Sequence, residues 1–305
     1  MEKEKTQAEL LSEKLMLKKE HFSKAMSENE IAKADAFCEG YKTFLSEAKT
    51  ERECVDYVIA EAEANGFVPF VKGTKYNAGD KVYYNNRGKA IILAVMGKKG
   101  VTEGAKIVAS HIDSPRLDLK PNPLYESDEL ALFKTHYYGG IKKYQWVAIP
   151  LALHGVMIKG NGETVKVSIG EKADEPKFVI TDLLPHLGRE QGKTPLGQAF
   201  GGEILNIVIG CEPYMEDGKV ADGEAVKLNL MRMLNEKYGI VESDFITAEL
   251  CAVPAEELLE IEFRNNLKKE EPKPFLCANV NGKMVGWTGA MWNEESGRGH
   301  FDGII

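Results

Sequence analysis

Two runs in the first third of the chain, KAIILAVM at 89–96 and AKIVASHID at 105–113, constrain the fold most, because they are apolar at consecutive rather than alternating positions. A strand wetted on one face alternates; a strand apolar on both faces belongs in the interior of a sheet covered by helices. The neighbouring runs FVPFV at 67–71 and KVYYN at 81–85 are β-branched and aromatic, are bounded by Gly, Asn and Asp, and read as further strands. The helices to cover such a sheet lie just upstream. Phe37, Tyr41, Phe44, Leu45 and Ala48 are spaced as one stripe of an amphipathic helix, which predicts that this face packs inward. A second helix is expected from Thr50, which forms a capping-box pattern with Glu53, through Val55, Ile59 and Ala62 to Gly66, a residue able to take the left-handed conformation that ends a helix. The first domain is therefore predicted to be α/β.

The character changes after Pro115. LALFKTH at 130–136, WVAIPLALHGVMI at 146–158, TVKVSI at 164–169, KFVIT at 177–181 and EILNIVI at 203–209 are closely spaced strand-like runs broken by Gly and Pro, with no long helical stripe among them. Helix returns at Ala225, where Val226, Leu230, Met233 and Leu234 share a face and Gly239 closes the segment. DFITAELCAV at 244–253 then reads as another interior strand, expected to rejoin the first sheet. This predicts an amino-terminal α/β part over 1–113, an inserted β-rich domain over 114–245, and a return strand plus divergent tail over 246–305, whose only periodic stretch is Glu256 to Leu267.

Composition narrows the function classes. A net charge of −8 with a pI near 5.5, and no basic stripe, disfavours binding to phosphate backbones or anionic lipid, so neither nucleic acid nor membrane is an expected partner. The longest unbroken apolar run, Ala90 to Met96, is too short to span a bilayer, and the charged first residues have no apolar core of a leader, so a cytoplasmic location is expected. Five cysteines, Cys38, Cys54, Cys211, Cys251 and Cys277, form no CxxC pair and are read as reduced, buried small hydrophobes.

The most suggestive local chemistry is His111-Ile112-Asp113, at the end of a predicted strand. Residues two apart on a strand project from the same face, so imidazole and carboxylate are expected side by side. Ligands gather at the carboxyl ends of strands in open α/β sheets, and a metal-bound histidine commonly has its other ring nitrogen held by a carboxylate. His111 as metal ligand with Asp113 as its orienting catalytic residue is chemically coherent; a strand-end histidine bonded to a turn is the plainer alternative. His136, His154 and His186 stand at no metal-ligand spacing from one another and are read as structural. The chain has no HExxH, GxSxG or GxGxxG, and Gly188 to Thr194 falls one residue short of a phosphate-binding loop.

A wider series of segments gives HIDSP its context: ADAFCEGYKTFLSEAKTERE, VASHIDSPRLDLKPNPLYE, THYYGG, LLPHL and LMRMLNEKYGI, in that order over about residues 31 to 255. The series resembles the aspartyl aminopeptidase, or aminopeptidase I, family. The resemblance implies a helix-covered mixed sheet of zinc-peptidase type, interrupted by a β-rich dimerisation domain. It also implies two zinc ions, peptide substrates cut at their amino-terminal residue, and assembly into homo-oligomers. Carried onto this chain, His111 matches the family's first zinc ligand and Asp113 the carboxylate that orients it, while Gly139, Gly140 and His186 match motifs of the inserted domain.

Two departures shape the expectation. WVAIPL at 146–151 replaces the charged WFDRDL pattern of many relatives, so a preference for aspartate is not expected. The family's bridging Asp, Glu-Glu pair and later Asp and His ligands lie beyond the matching region, and Glu256, Glu257, Glu294, Glu295, His300 and Asp302 do not sit in the glycine-flanked context that such ligands occupy. The α/β peptidase domain is therefore expected to be incomplete, through truncation or a shifted reading frame, and the chain to be a weakly active or inactive aminopeptidase. The alternative reading is a catalytically silent fragment that acts as an assembly partner through its inserted domain.

Overall fold

The computed structural model describes residues 5–17, 25–255 and the backbone of four strands between 276 and 301. Residues 1–43 and 44–305 form two separate units. In the first, helix α1 (Gln7–Leu15) opens on a capping box in which Thr6 and Glu9 satisfy each other's backbone N–H groups. Helix α2 (Glu28–Glu47) begins in the same way at Ser27 and Glu30. Of the predicted inward stripe, the part inside the second unit packs: Phe44 meets Tyr57 of the next helix edge-on and Ala48, just past α2, is buried. Periodicity sets which side chains share a face, but not whether another element covers it.

The second unit starts with α3 (Glu51–Ala64), where the Thr50 hydroxyl accepts from the Glu53 N–H as predicted, and Gly66 follows at φ 81°. Strands β1 (Val68–Pro69), β2 (Lys81–Asn86) and β3 (Ala90–Val95) form a three-stranded sheet in that order. Tyr83 ties it to α3 through a 2.6 Å hydrogen bond from its hydroxyl to Glu63. The run 105–113 corrects the sequence reading: it forms no strand, and Ile107 and Val108 are 84% and 99% exposed. An apolar, β-branched run becomes a strand only where a neighbouring strand completes its ladder, and among the described residues none lies beside it.

A six-stranded antiparallel sheet follows. It is built from β4 (Arg116–Ser127), β5 (Leu130–Tyr138), β6 (Leu151–Ile158) and β7 (Thr164–Ile169) and, after the single-turn helix α4 (Leu196–Ala199), β8 (Ile207–Gly210). A small hairpin, β9 (Met215–Glu216) and β10 (Lys219–Val220), leads into helix α5 (Ala225–Tyr238), which ends as predicted at Gly239, φ 65°. The last strand of the sheet is β11 (Glu249–Pro254), and the order across the sheet is β7-β6-β11-β4-β5-β8. This corrects the expected return to the first sheet: β11 lies between β6 and β4, with Cys251 facing His154 on one side and Asp118 on the other. Leu250 and Ala252 enter the main core with Leu117, Phe133, Leu151, Met157 and Ile207, and α5 covers that core with Val226, Leu230 and Leu234. Each fully buried leucine or isoleucine contributes about 1.5–3 kcal/mol. Cys251 and Val253 point to the opposite face with Ala152 and Ala255. The strands β12 (Leu276–Val280) with β13 (Lys283–Thr288), and β14 (Ala290–Asn293) with β15 (Arg298–Phe301), form two antiparallel pairs. No helix among the described residues is long and apolar enough to cross a membrane.

Helix α3 links the two sheets. Its Arg52 reaches Glu249 of β11 at 2.7 Å and its Asp56 holds Lys166 of β7 at 2.8 Å, while its own carboxyl end anchors the three-stranded sheet. The connection 105–115 between the sheets is thereby carried past the first turns of α3, and the candidate residues lie on that connection.

Candidate functional site

The chain at 105–115 lies outside helix and strand, and among the described residues no backbone hydrogen bond holds it. Two side chains pin it instead. The Cys54 thiol of α3 lies 3.4 Å from the Ala48 carbonyl and 3.5 Å from the Ile112 carbonyl, which compete for its one proton; burial, and then Glu53 and Glu51, push that thiol up to about 11, so it keeps that proton. The Tyr138 hydroxyl, at the end of β5, donates to Asp113 Oδ2 at 3.1 Å.

His111 and Asp113 are brought together as their spacing anticipates, although on an extended connection rather than a strand. His111 Nδ1 lies 2.9 Å from the Asp113 carbonyl oxygen and 3.2 Å from its Oδ1. Both are acceptors, so Nδ1 carries the proton, and in the neutral ring the lone pair is on Nε2. The His111 side chain is 79% exposed, which leaves Nε2 open to an incoming ligand. The Tyr138 hydrogen bond first, and then His111, hold the Asp113 carboxyl below the usual carboxylate range; the same bond raises Tyr138. Asp113 is therefore a charged acceptor at neutral pH.

Arg116 underlies this pair. It is buried, its Nε and Nη1 reach Asp118 at 2.7 Å and Glu51 at 2.8 Å, and its guanidinium carbon sits 4.0 Å from the centre of the Tyr138 ring, its cross-strand partner. Sequence reading passed over Tyr138 and Arg116, although both lie inside the quoted segments THYYGG and HIDSPR; the contact between them is a β-ladder register that no local pattern reveals.

On the same side of the six-stranded sheet His154 is buried between two carboxylates, Nδ1 at 2.6 Å from Glu53 and Nε2 at 2.7 Å from Glu171, with Lys49 Nζ 2.7 Å from Glu171. Both of its nitrogens are engaged, as suits its reading as a structural residue. His136 stacks on Tyr137, and His186 lies exposed on the loop after β7.

A zinc ion in a catalytic site takes three protein ligands and an open position. Among the described residues no group of three or more His, Cys, Asp or Glu side chains could hold a metal ion. The described residues thus supply one imidazole with its orienting carboxylate and do not by themselves fit a zinc ion. The suggested tail donors Glu256, Glu257, Glu294, Glu295 and Asp302, and the His300 side chain, lie outside the described residues.

Comparison with known proteins gives this geometry a family. The profile of the Aminopeptidase I zinc metalloprotease (M18) family matches residues 44–267. A probable M18 family aminopeptidase 1 of Clostridium acetobutylicum is 48% identical over 232 residues, which is 75% of this chain and 49% of that protein. The crystal structure of an M18 aminopeptidase from Thermotoga maritima superposes with a TM-score of 0.75 at 42% identity, covering 81% of this chain and 53% of the other. Aminopeptidase I from Borrelia burgdorferi superposes with a TM-score of 0.69 at 37% identity, covering 79% and 54%. The chain spans about half the length of the relatives it matches. It belongs to the M18, or aminopeptidase I, family of zinc metalloproteases.

Proposed function

We propose that the chain serves in the zinc-dependent removal of amino-terminal residues from peptides, with His111 as a metal ligand and Asp113 as the carboxylate that orients it. The observation that carries this reading is the engagement of His111 Nδ1 by both acceptors of Asp113, which sets Nε2 as the donor atom. Zinc, when bound, supplies a Lewis acid that lowers the pKa of a coordinated water. The chain's own contribution is to hold the His111 ring in one tautomer and to keep Asp113 charged. With His111 the one imidazole placed for a metal among the described residues, zinc is expected to bind weakly, below one tightly held equivalent, and turnover by this chain to stay near background. WVAIPL at 146–151 brings no charge to meet an acidic side chain, so amino-acyl substrates with neutral side chains are the first to try.

Zinc titration against a chromophoric chelator, with hydrolysis of amino-acyl chromogenic substrates, tests this. His111→Ala is expected to abolish measurable zinc binding, and Asp113→Ala to weaken it by about 10–100-fold. Unchanged affinity in His111→Ala would remove His111 from the metal. Two tightly held zinc ions, with release of amino-terminal residues that a chelator stops, would show a complete site and overturn the weak-binding part of the proposal.

The inserted β-rich domain, expected over 114–245, is proposed to serve dimerisation within a homo-oligomer, a reading supported by the separate core of its sheet and by Leu183, Leu184 and Leu187, which are exposed on the loop after β7. A cytoplasmic location is part of the proposal, supported by the unpaired thiols Cys38, Cys54, Cys211 and Cys251.

A further inference from the structure

We propose that Tyr138 is a positioning residue for the His111–Asp113 pair, fixing the protonated nitrogen of His111 through its hydrogen bond to Asp113. The proposal deepens the reading of His111 as a ligand and rests on it for its relevance to metal, but its first test does not require metal.

Both acceptors of His111 Nδ1 belong to residue 113: the main-chain oxygen at 2.9 Å and Oδ1 at 3.2 Å. Whatever fixes residue 113 therefore fixes the ring. Among the described residues no ladder bond reaches the backbone around it, and the contacts that hold it there come from side chains. Of the side chains among the described residues that reach this connection, the Cys54 thiol is a weak donor whose nearer acceptor is the Ala48 carbonyl, at 3.4 Å against 3.5 Å for Ile112, and the Tyr138 hydroxyl makes the charge-assisted bond at 3.1 Å to Asp113 itself. By occupying Oδ2, Tyr138 turns Oδ1 towards Nδ1; without it the carboxylate is free to rotate over its broad side-chain torsion.

Tyr138, 38% exposed, is itself held from beneath. It closes β5 opposite Arg116, whose guanidinium lies over its ring at 4.0 Å and is clamped by Glu51 and Asp118 at 2.8 and 2.7 Å. A tyrosine that merely stabilised the hairpin would do so through the ring and the stacked guanidinium. The hydroxyl, directed out of the sheet to residue 113, is the part that a positioning role needs.

The test is the ¹⁵N spectrum of the His111 ring in the full chain at a pH where imidazole is neutral, assigned by comparison with His111→Gln. The wild-type ring is expected to carry its proton on Nδ1, whereas free neutral imidazole favours Nε2. Tyr138→Phe keeps the ring stack and removes only the hydroxyl; it is expected to move the tautomer ratio towards Nε2–H by at least about twofold, with the far-UV spectrum unchanged. Arg116→Lys, which keeps the charge opposite Glu51 and loses the planar stack, is expected to move it the same way by less. Ring nitrogen shifts that stay at wild-type positions in both variants would overturn the proposal. Zinc titration of the same proteins separates it from the functional reading. A tautomer change with zinc affinity indifferent to His111→Ala keeps the positioning role and removes the ligand role. Loss of zinc in His111→Ala, with an unmoved tautomer in both variants, does the reverse.

Discussion

His154 shows how a single side chain joins distant parts of this fold. It is buried and bridges Glu53 at the start of α3 to Glu171 after β7, while Lys49 neutralises the second carboxylate. Burial alone pulls an imidazole pKa down, but here the hydrogen bonds and charges of Glu171 and Glu53 outweigh it and raise His154 to about 9. A folded pKa above the ordinary value of about 6.5 means that the clasp contributes its full stability below pH ~6.5 and loses it as the pH rises through about 9. The thiols of Cys54 and Cys251, pushed up by burial to about 11 and about 12, also favour the folded state in their protonated form and add their own loss at alkaline pH. Urea unfolding from pH 6 to 10 is therefore best compared with His154→Gln, whose profile should lack the loss between about 6.5 and 9 that the native protein shows; parallel profiles would contradict the charged clasp. His154→Ala leaves two carboxylates without their shared partner and is expected to cost about 3–5 kcal/mol, and a cost under about 1 kcal/mol would mean that the pair is solvated. The sequence marks His154 as structural, by its lack of metal-ligand spacing, but not its partners, which lie 101 and 17 residues away.

Among the elements, the pairing of β6 with β11 depends on the absence of a side chain. Gly155 has φ 137°, and a methyl group there would collide with the Glu249 carbonyl and crowd Leu250. Gly155→Ala is expected to destabilise the protein by about 2 kcal/mol or more, read as a lower urea midpoint with an unchanged slope; a shift below about 0.5 kcal/mol would show that the two strands can part without cost. What could be read from the sequence at this scale follows the range of the interactions. The start of α3 at Thr50 and the end of α5 at Gly239 are local cap chemistry, and both are found where their residues place them. The position of β11 is not local, since Cys251 pairs with residues in β6 and β4 that its own segment does not encode. The run 105–113 failed as a strand for a related reason: its composition fits a sheet interior, but a ladder needs a second strand. His111 and Asp113 were legible because residues two apart on any extended chain share a side, with or without a sheet. Tyr138 was not, because its link to Asp113 passes through the register of β4 against β5.

At the scale of the whole molecule, the surface of the second unit carries apolar side chains that a solitary soluble protein would ordinarily cover. Ile92, Leu93 and Val95 are exposed on β3, and Ile107 and Val108 on the connection that follows. Among the described residues β3 is also the last strand of its sheet, with a row of backbone donors and acceptors at its edge beside this apolar surface. The net charge of −8 opposes association over long range, but about 8 Å of screening length at physiological salt limits that repulsion, while apolar contact acts at the touching surface. Self-association that strengthens as salt is added is the expected result, seen in sedimentation velocity as species heavier than the 33.8 kDa chain at micromolar concentration. Charges placed on the patch act on this contact alone, because Ile92 and Val108 are exposed and contribute little to the core. Ile92→Lys combined with Val108→Glu should weaken this salt-strengthened association, leaving the contact proposed for the β-rich part, with the urea midpoint unchanged. Association that persists undiminished in that double variant would place the contact on another surface, and a wild-type chain that sediments as a monomer at every salt concentration would refute the oligomer itself.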